Sequence, residues 1–216
     1  MGNIIIETKN LSKSFKKQII FHSVSFALEK GKAYGFIGHN GSGKSILFKI
    51  LCGLMSPDSG EIKISGKTLG KEIDFPDGTG IIIETPQFLE EYSGIKNLRY
   101  LAAIKNKITD ETIKSTLVRV GLDPENSQPV KKYSLGMKQK LGIAQAIMES
   151  PNLLILDEPF NGLDKTSVEN IRSLLLELKN KGVTILLTSH IQKDLDLICD
   201  EIFEFNEKKL EKITMR

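Results

Sequence analysis

The 216-residue chain has only two cysteines, no apolar run of membrane-spanning length, no low-complexity tract and no internal repeat. Each absence excludes something. A transmembrane helix needs about 20 consecutive apolar residues, so any membrane role requires a separate partner chain. Cys52 and Cys199 lie far apart among apolar neighbours. That fits buried thiols in a reducing cytosol better than a disulfide framework. The opening MGNIIIETKN meets Glu7 too early for the apolar core of a secretory signal, and the expected location is the cytoplasm. An excess of one charge is also lacking. Thirty basic and 27 acidic residues leave a net +3, without the basic concentration that nucleic acid requires, so no nucleic-acid partner is expected. No sustained heptad run appears, which excludes a long coiled-coil arm.

What the chain does have is alternation between short aliphatic runs and amphipathic stretches. KAYGFIG (32–38) predicts a buried strand entering a Gly-rich turn. SILFKILCGLM (45–55) predicts a helix stopped by Ser56-Pro57. EIKISG, after Asp58-Ser59-Gly60, and GIIIET (80–85) predict two further strands. Residues 94–120 carry the stripes Leu98, Leu101, Ala102 and Ile113, Leu117, Val120, closed by Gly121; they predict a helical lobe inserted between strands. LLILDEP (153–159) and VTILLTSH (183–190) are apolar almost throughout, as strands covered on both faces are. Between them, 167–182 predicts an amphipathic helix. The tail EIFEFNEKKLEKIT resembles a hairpin. Together these predict an α/β fold with a mainly parallel sheet, and a small β lobe made from antiparallel pieces at both ends of the chain.

The segment GHNGSGKS (38–45) matches G-x-x-x-x-G-K-[ST] in full, between a predicted strand and a predicted helix. Glycines let backbone N–H groups close around phosphate oxygens. The helix N-terminus adds positive partial charge. Lys44 can reach the β- and γ-phosphates, and the Ser45 hydroxyl can ligate Mg²⁺. Such a loop needs a metal-holding carboxylate at the end of a neighbouring strand. Asp157 stands there, with Glu158 beside it to polarise the attacking water. His190 closes another strand at the edge where ligands of open α/β sheets bind, and could contact the γ-phosphate.

YSLGMKQKLG (133–142) reads as a helix start capped by Ser134, yet Gly136 falls in the first turn, where glycine weakens a helix. An N-terminus kept open to a phosphate would account for it.

These motifs, in this order, resemble the nucleotide-binding subunit of ABC transporters along essentially the whole chain. GHNGSGKS is similar to Walker A and LLILDEP to Walker B with its catalytic glutamate. NGLD (161–164) is similar to the D-loop, His190 to the switch histidine, and YSLGM to a variant of the LSGGQ signature. The resemblance implies a P-loop, RecA-like ATPase core with a β lobe (about 1–86 and 151–216) and a helical lobe (about 87–150), forming one domain over 1–216. It implies that Gly38, His39, Asn40, Gly41, Ser42, Gly43, Lys44, Ser45 and Ile46 hold the phosphates of ATP. Phe15 would stack on the adenine, and Ser45 and Asp157 would hold Mg²⁺. Glu158, His190 and Lys44 would serve catalysis.

Two departures stand out. Glu84 aligns where the family usually has a glutamine; its carboxylate could still ligate Mg²⁺. Within the signature, Leu135 replaces the first glycine and Met137 the glutamine. The stretches IIIETPQFLEEYSGIKNLRYLA and YSLGMKQKLGIAQA resemble ATPases of bacitracin- and lantibiotic-type exporters, which pair with a separate permease subunit. Family members sandwich ATP between the P-loop of one subunit and the signature of another, so Ser134 and Gly136 are expected to meet ATP across a head-to-tail dimer. The expected function is ATP hydrolysis driving efflux of an antimicrobial peptide or drug, with the chain held at the inner membrane face by its permease. An importer ATPase or a soluble non-transport ABC ATPase is the alternative.

Overall fold

The computed structural model describes residues 3–16 and 18–213. Its N-terminal strands β1 (Ile4–Phe15) and β2 (Gln18–Glu29) form a long antiparallel pair, extended by β4 (Ser59–Ile64) and β5 (Lys67–Thr68) in the order β2-β1-β4-β5. In β2, Val24, Phe26 and Leu28 are buried while Ser25 and Ala27 face out, the period of a sheet with one wet face. The second sheet orders as β10-β9-β3-β8-β7-β6. It uses β3 (Ala33–Ile37), β6 (Thr79–Ile82), β7 (Leu153–Leu156), β8 (Thr184–Thr188), β9 (Glu201–Asn206) and β10 (Lys209–Ile213). All its pairings are parallel except β9–β10.

The apolar runs are explained by burial on two faces. Leu154, Leu156, Ile185 and Leu187 pack into one core, and Leu153, Ile155 and Leu186 into another. Successive side chains of a strand point to opposite faces, so both faces must be apolar. The first core is completed by α2 (Gly94–Lys105), α3 (Asp110–Arg119), α4 (Leu135–Ile147), α5 (Lys165–Asn180) and α6 (Gln192–Ile198). The second is completed by α1 (Lys44–Leu51) and the antiparallel sheet. The helices α2 to α4 lie in the chain between β6 and β7.

Three expectations need correction. The helix at 45–55 ends at Leu51, because Gly53 turns left-handed (φ +77°) where any Cβ would collide with the Asp74 carbonyl. The strand at 80–85 ends at Ile82, with Glu84 in the left-handed region (φ +60°). The C-terminal hairpin turns through Glu207 and Lys208, both at positive φ, as a two-residue hairpin turn demands. It joins the parallel sheet through β9 beside β3 instead of entering the small antiparallel sheet. Helix α6 was not foreseen; its seven residues bury Leu195 and Ile198 at i, i+3, too short a pattern to read.

Candidate active site

The turn from β3 into α1 is built by conformations that favour glycine: Gly38 (φ +147°), Gly41 (φ +81°) and Gly43 (φ +110°). At Gly38 a Cβ would come within 2.7 Å of Ser42 Oγ, so the bare Cα lets the loop close. Ser42 Oγ is buried without a hydrogen-bond partner. Lys44 Nζ donates to the carbonyls of Gly38 (2.8 Å) and His39 (3.2 Å), arching over the loop's own backbone. An orphaned hydroxyl, an arched ammonium and a helix N-terminus together fit an anion seated in the loop.

The loop forms one wall of a cavity of about 410 Å³, which Phe15 lines together with Asn40 to Ile46, Asp157, Glu158 and His190. Gln18 and Ile20 line it as well, from β2. Phe15 is 43% exposed at the end of β1, with Lys13 Nζ 5.5 Å from its ring centroid. It is therefore an available aromatic face and not a core residue.

Across the cavity, Ser45 Oγ donates to Asp157 Oδ2 at 2.5 Å, and Thr188 Oγ1 donates to Asp157 Oδ1 at 2.7 Å. Thr188 Oγ1 also accepts the Glu158 N–H at 2.8 Å. One β8 hydroxyl thereby holds the Asp157 carboxylate and the Glu158 backbone at the end of β7. The hydroxyl and carboxylate oxygens converging at Ser45 and Asp157 are hard donors of the kind a hydrated divalent cation takes. Glu158 sits at φ +49°, a conformation costing about 1–3 kcal/mol and held by its surroundings. Its Oε1 is 3.2 Å from His190 Nε2, yet it is buried without a hydrogen-bond partner. Burial pushes the Glu158 carboxyl above the usual carboxylate range; His190 opposes this, Asp157 adds to it, and Lys44 opposes it.

The His190 loop is anchored from below. Asp194 in α6 is fully buried, and it accepts from Arg172 Nε at 2.7 Å, from Arg172 Nη2, and from Ser189 Oγ at 2.8 Å. Ser189 Oγ in turn accepts the Ile191 N–H at 3.1 Å. His190 is thus bracketed on both sides. The Arg172 guanidinium also lies over the Phe160 ring at 6.0 Å, two residues past Glu158.

The ABC transporter family model matches residues 21–161, most of the chain and all of the phosphate loop. The chain belongs to the ABC transporter family. It is an ATP-hydrolysing subunit, an ABC ATPase. It is 45% identical over 207 residues to the uncharacterized ABC transporter ATP-binding protein YybJ of Bacillus subtilis, covering 96% of this chain and 95% of the relative. It is 38% identical to the bacitracin transport ATP-binding protein BcrA of Enterococcus faecalis (95% of this chain, 68% of the relative). To the lantibiotic transport ATP-binding protein SrtF of Streptococcus pyogenes it is 39% identical (95% and 89%). A solved ATP-binding subunit of an ABC transporter superposes with a TM-score of 0.86 at 33% identity, covering 98% of this chain and 90% of that one.

In this ABC ATPase the expected residues divide into two sets. Phe15, Asn40 to Ile46, Asp157, Glu158 and His190 line one cavity, while Gly38 and His39 lie behind it and accept from Lys44 through their carbonyls. Ser134 and Gly136 do not line it. Ser134 caps α4 by accepting the Met137 N–H at 3.2 Å. The early glycine has a reason beyond an open N-terminus: a Cβ on Gly136 would lie 2.8 Å from the Gly162 carbonyl oxygen. Glu84 does not line the cavity with Ser45; its Oε1 is 2.5 Å from Lys49 Nζ, a turn further along α1. It lines an adjoining cavity of about 190 Å³ instead.

Sequence reasoning missed Thr188, Gln139 and the Arg172–Asp194 pair. Gln139 Nε2 donates to the carbonyls of Glu158 (3.3 Å) and Pro159 (3.1 Å). Thr188 could have been found from its place two residues before His190. Nothing in the pattern of α6 marks Asp194 as buried.

Proposed function

We propose that this ABC ATPase energises export of an antimicrobial peptide or drug through a separate permease, as one of two ATPase subunits arranged head to tail. The observation that supports the composite site is that neither Ser134 nor Gly136 is among the residues lining the phosphate-loop cavity, so a second subunit would have to present that turn. Its free N–H groups and the Ser134 hydroxyl, at the positive end of α4, then meet a γ-phosphate.

In this reading Phe15 stacks on adenine and Asn40 to Ile46 wrap the phosphates. Lys44 leaves the Gly38 and His39 carbonyls to contact the β- and γ-phosphates. Ser45 and Asp157 hold Mg²⁺, which when bound screens the phosphate charge. Among the described residues no group of three or more His, Cys, Asp or Glu could cage a metal, so phosphate oxygens would complete the shell. Glu158, its carboxyl pKa raised and one oxygen unpartnered, accepts the proton of the attacking water; His190 orients it. Hydrolysis removes the phosphate that joins the subunits, and the pair opens.

Export is supported by the relatives named for bacitracin and lantibiotic transport. Among the described residues no helix is long and apolar enough to cross a membrane, which suits a peripheral subunit at the inner face. The helical lobe, about 87–150, offers the exposed Leu89, Tyr92, Tyr100 and Ile104 to a permease.

Two measurements test this. Specific ATPase activity should rise with protein concentration, because the site is shared; a flat rate from dilute monomer upward would overturn the sandwich. The chain co-expressed with its permease should co-purify with it and lower cellular sensitivity to a peptide antibiotic. A complex that accumulates the peptide inside cells would establish import.

A further inference from the structure

Leu135 stands where the family's signature ordinarily has its first glycine, and the nucleotide contacts described above leave it without a task. The loop after Glu158 supplies one. Gly162, at φ +74°, turns its bare Cα toward the first turn of α4: a Cβ there would lie 2.6 Å from both Cγ and Cδ2 of Leu135. One residue along the helix the relation recurs in reverse, since a Cβ on Gly136 would meet the Gly162 carbonyl oxygen at 2.8 Å. Each backbone is bare where the other approaches. Leu135 is still 56% exposed, so burial in a core does not explain the contact. It shares its small cavity with Gln139, Asp157, Glu158 and Asn161. The turn after β7 is therefore held from α4 at two places, by Gln139 at Glu158–Pro159 and by Leu135 at Gly162.

We propose that Leu135 is a positioning residue that locks the N-terminus of α4 to the loop running from Glu158 to Asp164. Any rotation of the helical lobe then carries Asn161 and Gly162 with it. The end of α4 that faces a partner's ATP and the loop that follows this chain's own Glu158 move as one body. A glycine at 135 could not couple them, because it has no side chain to seat on Gly162. The proposal rests on the reading of Ser134 and Gly136 as the contact to the second subunit's nucleotide.

The test is a double-mutant cycle on the full chain, with Leu135→Ala, Gly162→Ala and the pair. Steady-state kcat, binding of a fluorescent ATP analogue to dilute protein, and thermal melting are measured for each. Misplacing a composite site by a fraction of an ångström costs on the order of tenfold in kcat, so each single variant should fall by about that factor. Analogue affinity at the phosphate loop should hold. The double variant should be no slower than either single, because both disrupt the same contact, Leu135→Ala by emptying the seat and Gly162→Ala by filling it. The left-handed strain of alanine at 162 is present in both backgrounds and cancels in the cycle. Leu135→Met, which refills the volume, should recover most of kcat. Multiplying losses in the double variant, undiminished kcat in the singles, or failure of Leu135→Met to recover would each overturn the lock. Ser134→Ala, assayed for ATP-dependent dimerisation, separates the two layers. If it dimerises normally while the cycle stays non-additive, the trans-contact reading fails and the lock stands.

Discussion

Replacing Asp194 by alanine removes a carboxylate that is wholly buried and leaves the Arg172 guanidinium, whose side chain is 12% exposed, without its partner. Breaking a buried pair from one side costs about 3–5 kcal/mol, mostly because the remaining charge is stranded. The Phe160 face and the narrow route to solvent offset part of this, which points to the lower end, about 3 kcal/mol. In a chain of this size each kcal/mol moves the midpoint by roughly 2–4 °C, so Asp194→Ala should melt about 6–12 °C lower by circular dichroism without nucleotide. The companion variant Arg172→Met/Asp194→Leu removes both charges and fills the space, and should recover most of that loss, since an apolar replacement of a buried pair is often neutral. It should not recover ATPase activity. Ser189 Oγ would have lost the acceptor that fixes it between Asp194 and the Ile191 N–H, and the His190 loop would no longer be held. A single variant melting within about 2 °C of the parent, or a double variant as fast as the parent, would refute this account.

Glu158→Gln should retain nucleotide and lose most of its turnover, by about 10²–10⁴ if Glu158 is the base; parental rates in that variant would remove the assignment. Phe15→Ala should weaken ATP binding, measured by titration calorimetry, by about 1–3 kcal/mol, the worth of one base–aromatic stack. Phe15→Trp should keep it, and an unchanged affinity in the alanine variant would place adenine elsewhere. Burial pushes the thiols of Cys52 and Cys199 up to about 12 from an ordinary 9.0. Both should therefore resist iodoacetamide in the native protein and react in urea. Because only the unfolded thiols ionise above about 9, these groups withdraw stability as the pH rises past that value; a midpoint unchanged between neutral and strongly alkaline buffer would contradict it.

Motifs whose chemistry is local were legible. The glycines of 38–45 take the left-handed turns their spacing predicts, and Lys44 and Ser45 open the helix that follows, all within one local segment. The strands β7 and β8 were legible because burial on both faces leaves an unbroken apolar run. What the sequence did not disclose depends on approach between distant segments. The glycine at 136 looked like a concession to a ligand, but Gly162, 26 positions later, also requires it. Asp194 lies in a short helix among other acids, and only the docking of Arg172 from α5 makes its burial possible. Thr188 looked like one more β-branched strand residue until β7 and β8 brought it between Asp157 and Glu158. The C-terminal hairpin was readable as a hairpin, but nothing in it specified β3 as its neighbour.

Glu84 shows how a departure from a family pattern can be accommodated by a residue outside the motif. A carboxylate in place of the usual neutral amide puts a third acid around the cavity that Asp157 and Glu158 already line. Like charges so placed disfavour one another. Lys49, on α1 four residues beyond Ser45, meets Glu84 Oε1 at 2.5 Å and restores local balance. The pair is largely solvent-exposed on the acid's side, and such pairs are worth only about 0–1 kcal/mol. It can therefore balance the charge without fixing Glu84 rigidly. Lys49 shares a helix with Lys44 and Ser45, so the contact also ties the segment leaving β6 to the helix that would carry the phosphates. The acid at position 84 is thus matched by a base at position 49, and the two residues have to be read together.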